Sequence, residues 1–355
     1  MSTLSPEWKQ TLRLIDANLN RAGEGLRVLE EIARMMLNDT ALTDQLKTMR
    51  HQLVSGDAAF QEQLLQARNS ESDVGVDLAV PGEGKERELP LVLVANARRV
   101  QESLRVLEEL AKIPAIGPKL DSEKFKQARF DLYTIEQKLL SKLKRQDKVK
   151  QIAGLYAIID TEFLKGRDPV VVAGEIIRGG ARVIQLRDKV LNKKELISIA
   201  AKLQSFCTGH QVLFIMNDYL DVALAADTDG LHVGQEDLPA ADARRLLPLD
   251  KILGVSTSTV EKAIMAQSEG ADYVGVGTIY PTSTKKVTNI VGPERVREVK
   301  QAISIPVVAI GGITQDNTAE VVAAGADAVS VISAILGADS PEAASRQIAR
   351  AFKKK

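Results

Sequence analysis

The sequence predicts an α/β fold: a (β/α)8 TIM barrel preceded by an all-helical domain with an internal duplication. Three observations lead there. Apolar residues recur at spacings of three and four as far as about Lys150, and thereafter in short β-rich runs. A stretch of the first half returns 78 positions later. The second half holds eight strand-like runs, most of them followed by a helical segment.

At 355 residues the chain is longer than most single domains, so two domains are expected. Its 47 basic and 47 acidic residues cancel, which argues against a general nucleic-acid or membrane-surface role and for a small partner. The single cysteine, Cys207, excludes an intramolecular disulfide and any multi-cysteine metal site, and is expected in apolar packing. The start, MSTLSPEWKQ, has no apolar core like that of a signal peptide, and no later run approaches the roughly eighteen apolar residues that span a bilayer. The expectation is a soluble, cytoplasmic protein with neither nucleic-acid nor membrane partners; a homo-oligomer stays open.

In the first half, NLNRAGEGLRVLEEIAR from Asn18 lies over NARRVQESLRVLEELAK from Asn96, with ten of seventeen positions identical. With one gap, LKTMRHQL from Leu46 falls on FKQARFDL from Phe125, so the repeat spans a helix pair. Leu26, Leu29 and Ala33 read as a core stripe, whereas Glu24, Arg27, Glu31 and Arg34 alternate in sign at helical spacing. Those charges fit either a solvated face laced with salt bridges or a ligand site. The stretch from Arg68 to Pro90 is rich in Gly, Pro and charge and reads as a long loop; its GEGK is not a Walker A loop, because the flanking residues do not fit. A domain boundary is expected at LKRQDKVK, Leu143 to Lys150, giving domains 1–145 and 151–355.

The barrel strands are read from GLYAIID, VIQLRDK, LFIMND, GLHVG, ILGVS, YVGVGTIY, VVAIGGI and AVSVIS. Asp160, Arg187, Lys189, Asn217, Asp218, Ser256, Thr278 and Ser333 lie at the C-terminal ends of their runs, the ends that converge on the catalytic mouth of this fold. Within VIQLRDK, the two-residue spacing of Gln185, Arg187 and Lys189 places an amide, a guanidinium and an ammonium on one strand face, suited to an anion. Asp218 and Asp237, from neighbouring strand ends and without accompanying His or Cys, suggest magnesium shared with substrate phosphates. Arg187, Lys189 and Lys285 would then neutralise the outer oxygens of a diphosphate. Gly311 and Gly312 after the seventh run, with SVISAI after the eighth, supply backbone amides for a second phosphate. The segment YPTSTKK, with Thr282, Ser283, Thr284 and Lys285, lies on the loop between the two sites.

These residues make the second half, from roughly Gly154 to the end, resemble thiamine phosphate synthases. QLRDK, ND, HVGQED, GVS, PTSTKK and AIGGI match the family's motifs in family order. The resemblance implies that Gln185, Arg187, Lys189, Asn217, Ser256 and Lys285 bind hydroxymethylpyrimidine diphosphate, that Leu186, Asp188 and Ser283 are further substrate-binding residues, and that Arg187, Lys189, Lys285 and Ser256 act in catalysis. It implies Mg2+ at Asp218 and Asp237, and hydroxyethylthiazole phosphate at Thr282, Thr284, Gly312, Ile332 and Ser333. The implied reaction is loss of pyrophosphate from the pyrimidine's methylene and attack by the thiazole nitrogen, which has no proton to lose and so asks for no strong general base.

Two alternatives stand beside it. A thiazole tautomerase shares this barrel but carries a His shortly after GVS, where Ser258 stands here; many synthases also have that His. A noncatalytic phosphate-binding barrel is disfavoured by the aspartate pair. The helical half resembles a domain that some bacteria fuse to the synthase and that has been assigned as a hydroxymethylpyrimidine phosphate kinase, which would add ATP as a partner; a structural or oligomerising helical module is the competing reading.

Overall fold

A computed structural model describes residues 6–54, 57–68, 88–282 and 290–354. The chain divides into two compact units, Met1–Lys144 and Arg145–Lys355.

The first unit is helical: α1 Pro6–Glu31, continued by a π turn Ile32–Met36, then α2 Thr40–Val54, α3 Ala58–Ala67, α4 Leu89–Leu110 and the start of α5, Ser122–Gln151. Leu12, Ile15, Leu26, Leu29 and Ala33 on one side of the first helix close on Leu93, Val100, Leu104 and Leu107 of α4, as the three-and-four spacing requires. Gly25 sets the approach, because a Cβ there would lie 2.6 Å from Val100 Cγ2 and 3.1 Å from the Asn96 carbonyl oxygen.

The duplication is repeated in the polar contacts. Asn18 Nδ2 donates to the Leu14 carbonyl at 2.8 Å, and its counterpart Asn96 to that of Val92 at 2.9 Å. Glu30 pairs with Arg27 and with Arg50 of α2; in the copy, Glu108 pairs with Arg105 and with Arg129 of α5. Arg27 also reaches Glu31 at 2.7 Å. The charge stripe therefore takes the salt-bridged reading.

The second unit is a closed barrel of eight parallel strands in chain order. The strands are β1 Gly154–Asp160, β2 Ala181–Arg187, β3 Leu213–Asn217, β4 Gly230–Val233, β5 Ile252–Thr257, β6 Tyr273–Val276, β7 Val307–Ile310 and β8 Ala328–Val331. Between and after them run α6 Thr161–Leu164, α7 Pro169–Arg178, α8 Lys193–Gly209, α9 Leu220–Ala225, α10 Ala240–Leu246, α11 Val260–Ser268, α12 Gly292–Ala302, α13 Thr318–Ala323, α14 Ser333–Leu336 and α15 Pro341–Ala349. The period-two alternation sorts the strand residues into two cores. Tyr156, Ile158, Val183, Ile215, Ile252, Tyr273 and Val308 fill the interior. Leu155, Ile184, Leu186, Phe214, Val274 and Val329 pack outward with the helices, as does Cys207, whose thiol burial pushes up to about 12.

Two expectations from sequence change here. LKRQDKVK is not a linker but the last turns of α5, and its charges are used: Arg145 is buried and its Nε donates to Asp272 at 2.8 Å, just before β6, while Lys148 pairs with Asp229, just before β4. Val149 and Ile152 pack on the interior cluster. Residues 145–152 thus serve the N-terminal end of the barrel, and a boundary at 151 would cut into it. The strand read as VIQLRDK ends at Arg187, so Lys189 stands beyond it and shares no strand face with Gln185 and Arg187.

Candidate active site

The C-terminal strand ends carry an alternating set of carboxylates and cations. At the end of β1, Asp160 is 1% exposed and forms an ion pair with Arg187 at the end of β2. Lys189, past β2, donates to Asp218 Oδ2 at 2.7 Å, and this bond raises its ammonium above the ordinary lysine value. Asp218 follows β3 with φ +62, a left-handed conformation that a non-glycine residue adopts only where the surroundings fix it; its N–H donates to the His232 carbonyl of β4 at 2.8 Å. Burial raises the Asp218 carboxyl above the usual carboxylate range and the neighbouring Asp237 raises it further, with Lys189 opposing both. Asp237 is held in a tight turn, where its Oδ2 accepts from the Gly234 N–H at 2.8 Å. A Cβ on Gly234 would stand 2.7 Å from that oxygen, so a side chain there would displace the Asp237 carboxylate. Asn217, mostly buried, ends β3 between these groups.

Below this rim lies a hydrogen-bonded row through the barrel interior. Gln185 Nε2 donates to Tyr156 Oη at 2.8 Å; Tyr156 Oη lies 2.8 Å from Tyr273 Oη; Tyr273 Oη lies 3.1 Å from His232 Nδ1; and His232 Nε2 lies 2.9 Å from Ser256 Oγ. Burial pushes His232 down to about 4, so the ring is neutral, and raises both tyrosines, so both keep their protons. Tyr156, Tyr273 and His232 escaped the reading from sequence, although His232 stands in the HVGQED motif and all three lie at inward positions of their strands.

Other expected residues fall differently. Leu186 is fully buried in the outward core, so its side chain does not face the mouth. Asp188, 1% exposed, accepts from the Thr161 hydroxyl and from the Val190 and Leu191 amides, which makes its carboxylate a brace for the turn after β2. Gly311 and Gly312 both have positive φ; a Cβ on Gly312 would lie 2.4 Å from the Pro281 carbonyl oxygen, so the segment after β6 rests directly on that turn. Asn317 Nδ2 holds the Gly312 carbonyl at 3.0 Å. Ile332 and Ser333 lead into α14, with Ser333 exposed, and Thr282 is half-buried. Ser283, Thr284 and Lys285, like most of the Arg68 to Pro90 stretch, lie outside the described residues.

Comparison with known proteins adds the following. Residues 155–335 match the family model described as thiamine monophosphate synthase, and residues 13–138 match that of the ThiD2 family. A thiamine-phosphate synthase of Thermosynechococcus vestitus is 38% identical over 353 residues, 99% of this chain and 98% of its own. One from Methanospirillum hungatei is 48% identical over 197 residues, 55% of this chain and 96% of its own. Among solved structures, a thiamine phosphate pyrophosphorylase from Pyrococcus furiosus superposes with a TM-score of 0.54 at 35% identity, covering 58% of this chain and 98% of that one.

Proposed function

The chain belongs to the thiamine monophosphate synthase family and is a transferase, and we propose that its barrel joins hydroxymethylpyrimidine diphosphate to hydroxyethylthiazole phosphate with release of pyrophosphate. The observation that carries this reading is the pair Asp218 and Asp237 with Lys189 and Arg187 beside them at one rim. A carboxylate whose proton affinity is raised by a second one beside it suits a divalent cation, and among the described residues no third Asp, Glu, His or Cys completes a protein-only cage. That donor set fits Mg2+, which keeps waters and takes one or two carboxylates plus substrate phosphate oxygens. Bound there, the ion would stabilise the charge that grows on departing pyrophosphate.

The protein's own groups would do the rest. Arg187 and Lys189, now paired with Asp160 and Asp218, would turn toward the diphosphate's outer oxygens, joined by Lys285. Gln185, Asn217 and Ser256 would orient the pyrimidine so that its methylene faces the thiazole nitrogen. The turn at Gly312 and the start of α14 with Ile332 and Ser333 would anchor the thiazole phosphate, with Thr282, Ser283 and Thr284 as further binding residues. Departure of pyrophosphate leaves a cation spread over the aminopyrimidine, which the thiazole nitrogen captures, so catalysis is electrostatic and positional. No helix among the described residues is long and apolar enough to cross a membrane, in keeping with a small-molecule enzyme of the cytoplasm. Pyrophosphate release that requires both substrates and Mg2+ tests this function; release with the pyrimidine alone, or none with both, would refute it.

The helical unit we read as the kinase that supplies the diphosphate, phosphorylating hydroxymethylpyrimidine phosphate with ATP. Of the repeated set Asn18, Arg21 and Arg27, with Asn96, Arg99 and Arg105, the two asparagines and Arg27 and Arg105 are occupied by helix and ion-pair contacts, so these four do not support it. A cavity of about 560 Å³ between α2 and α5 does, with Asp44, Gln45, Thr48, Lys124, Gln127 and Asp131 on its walls.

A further inference from the structure

We propose that Tyr156, Tyr273 and His232 form a positioning relay that ties the hydrogen-bond polarity of Gln185 to that of Ser256, so that the mouth offers an aminopyrimidine edge one donor and one acceptor. This rests on the synthase reading, in which Gln185 and Ser256 meet the pyrimidine.

The row from Gln185 through Tyr156, Tyr273 and His232 to Ser256 has one hydrogen for each link. Each tyrosine hydroxyl carries a single proton, and the His232 ring, which meets the Tyr273 hydroxyl at Nδ1 and the Ser256 hydroxyl at Nε2, has one N–H and one bare nitrogen. All links point the same way when every hydroxyl proton is used, because a buried tyrosine oxygen that accepted on both sides would leave its own proton without a partner. In one sense Gln185 donates to Tyr156, Tyr156 to Tyr273, Tyr273 to His232 Nδ1, and His232 Nε2–H to Ser256. The Gln185 oxygen is then left as an acceptor for a ligand, and the Ser256 hydroxyl as a donor. In the opposite sense the Ser256 hydroxyl donates to His232, and the row ends on a flipped Gln185 amide that turns its NH2 outward. Either way the two ends present opposite polarity and never two groups of one kind. A ring nitrogen next to an amino-bearing carbon has the matching pattern, an acceptor beside a donor.

The barrel makes room for this row. A Cβ on Gly254 of β5 would fall 2.1 Å from Tyr273 Cζ and 2.5 Å from His232 Nδ1, and one on Gly275 of β6 would fall 3.2 Å from His232 Cε1. Two inward positions are thus given up to the tyrosine and the histidine, in an interior otherwise filled largely by aliphatic side chains. Tyr156 and Tyr273 are each no more than 1% exposed, so neither hydroxyl has water as an alternative partner.

The test is a double-mutant cycle on the full chain, Tyr156→Phe with Ser256→Ala, read as KM for the pyrimidine diphosphate, with KM for the thiazole phosphate and Tm as controls. Three links separate the two positions, so independent effects should multiply. Each single change should raise the pyrimidine KM about tenfold, the worth of one buried hydrogen bond. The relay requires the double variant to remain within about twofold of the weaker single variant, with the thiazole KM unchanged, because breaking the row once already frees its ends. Tyr273→Phe, which severs the row in the middle, should reproduce the single effect. A multiplied, roughly hundredfold loss would overturn the relay, as would equal losses for both substrates. A wild-type chain that fails to turn over both substrates would instead bring down the synthase reading, and the relay with it.

Discussion

Arg145 offers the sharpest check on how the barrel is built. Asp272 is almost buried before β6 and takes three donors: Arg145 Nε at 2.8 Å on one oxygen, and Arg244 Nη1 at 3.2 Å with the Leu253 N–H at 2.8 Å on the other. Arg145 also gives Nη1 to the Leu249 carbonyl at 3.2 Å. Removing one partner of a buried ion pair costs about 3–5 kcal/mol when nothing else compensates. Here Arg244 remains, and it gains, since burial and then the nearby Arg145 push its guanidinium down to about 10. Arg145→Leu should therefore cost about 2–3 kcal/mol, at or just below the lower limit of that range. For a unit of this size that lowers Tm by roughly 4–12 °C. The assay is thermal unfolding of the full chain, followed by two truncations, 145–355 and 151–355. The longer should fold and join the two substrates; the shorter, lacking Arg145, Lys148 and Val149, should melt at least as far below it as the point variant does below wild type. Equal melting temperatures for the two truncations would show that the end of α5 is a passive connection, and the reasoning would fail.

Other outcomes are expected. Asp218→Asn and Asp237→Asn should each lower turnover at least about a hundredfold, near 2.7 kcal/mol of barrier, with Tm little changed; a near-normal rate at low Mg2+ in either variant would remove the metal assignment. Lys285→Ala should weaken pyrophosphate inhibition more than thiazole phosphate binding in calorimetry, and Gly312→Val the reverse, because its Cβ would displace the segment at Pro281; equal losses of both ligands would sink the two-subsite map. Cys207, fully buried and with its thiol pushed up to about 12, should resist alkylation at pH 8 until the chain unfolds, and rapid labelling of the native protein would contradict its packing. Residues 1–144, shown by circular dichroism to be helical, should release ADP from ATP and Mg2+ when given the pyrimidine monophosphate; no ADP above a no-substrate control would favour a structural module.

Much of this protein was legible along the chain, because period and order are one-dimensional. Spacings of three and four separate the helical half from the barrel half, and eight apolar runs in series predict eight parallel strands, since each crossover needs a helix to return. The repeat between Asn18 and Asn96 predicts paired helices, and the paired helices carry paired contacts at Glu30 and Glu108. The rim residues Arg187, Lys189, Asp218 and Asp237 were visible because barrel strands deliver their C-terminal ends to one mouth. What a charge does with its neighbours is a matter of three dimensions. No spacing could say that Lys189 lies past its strand and reaches Asp218, or that Asp188 spends its carboxylate on turn amides. Nor could it say that Arg145, in a stretch that reads as a charged linker, is buried against an aspartate 127 positions away. The row from Gln185 to Ser256 is the clearest case. Its five members come from five strands, and only closure of the barrel brings them within hydrogen-bond reach, where burial leaves the two tyrosine hydroxyls no partners but their neighbours in the row.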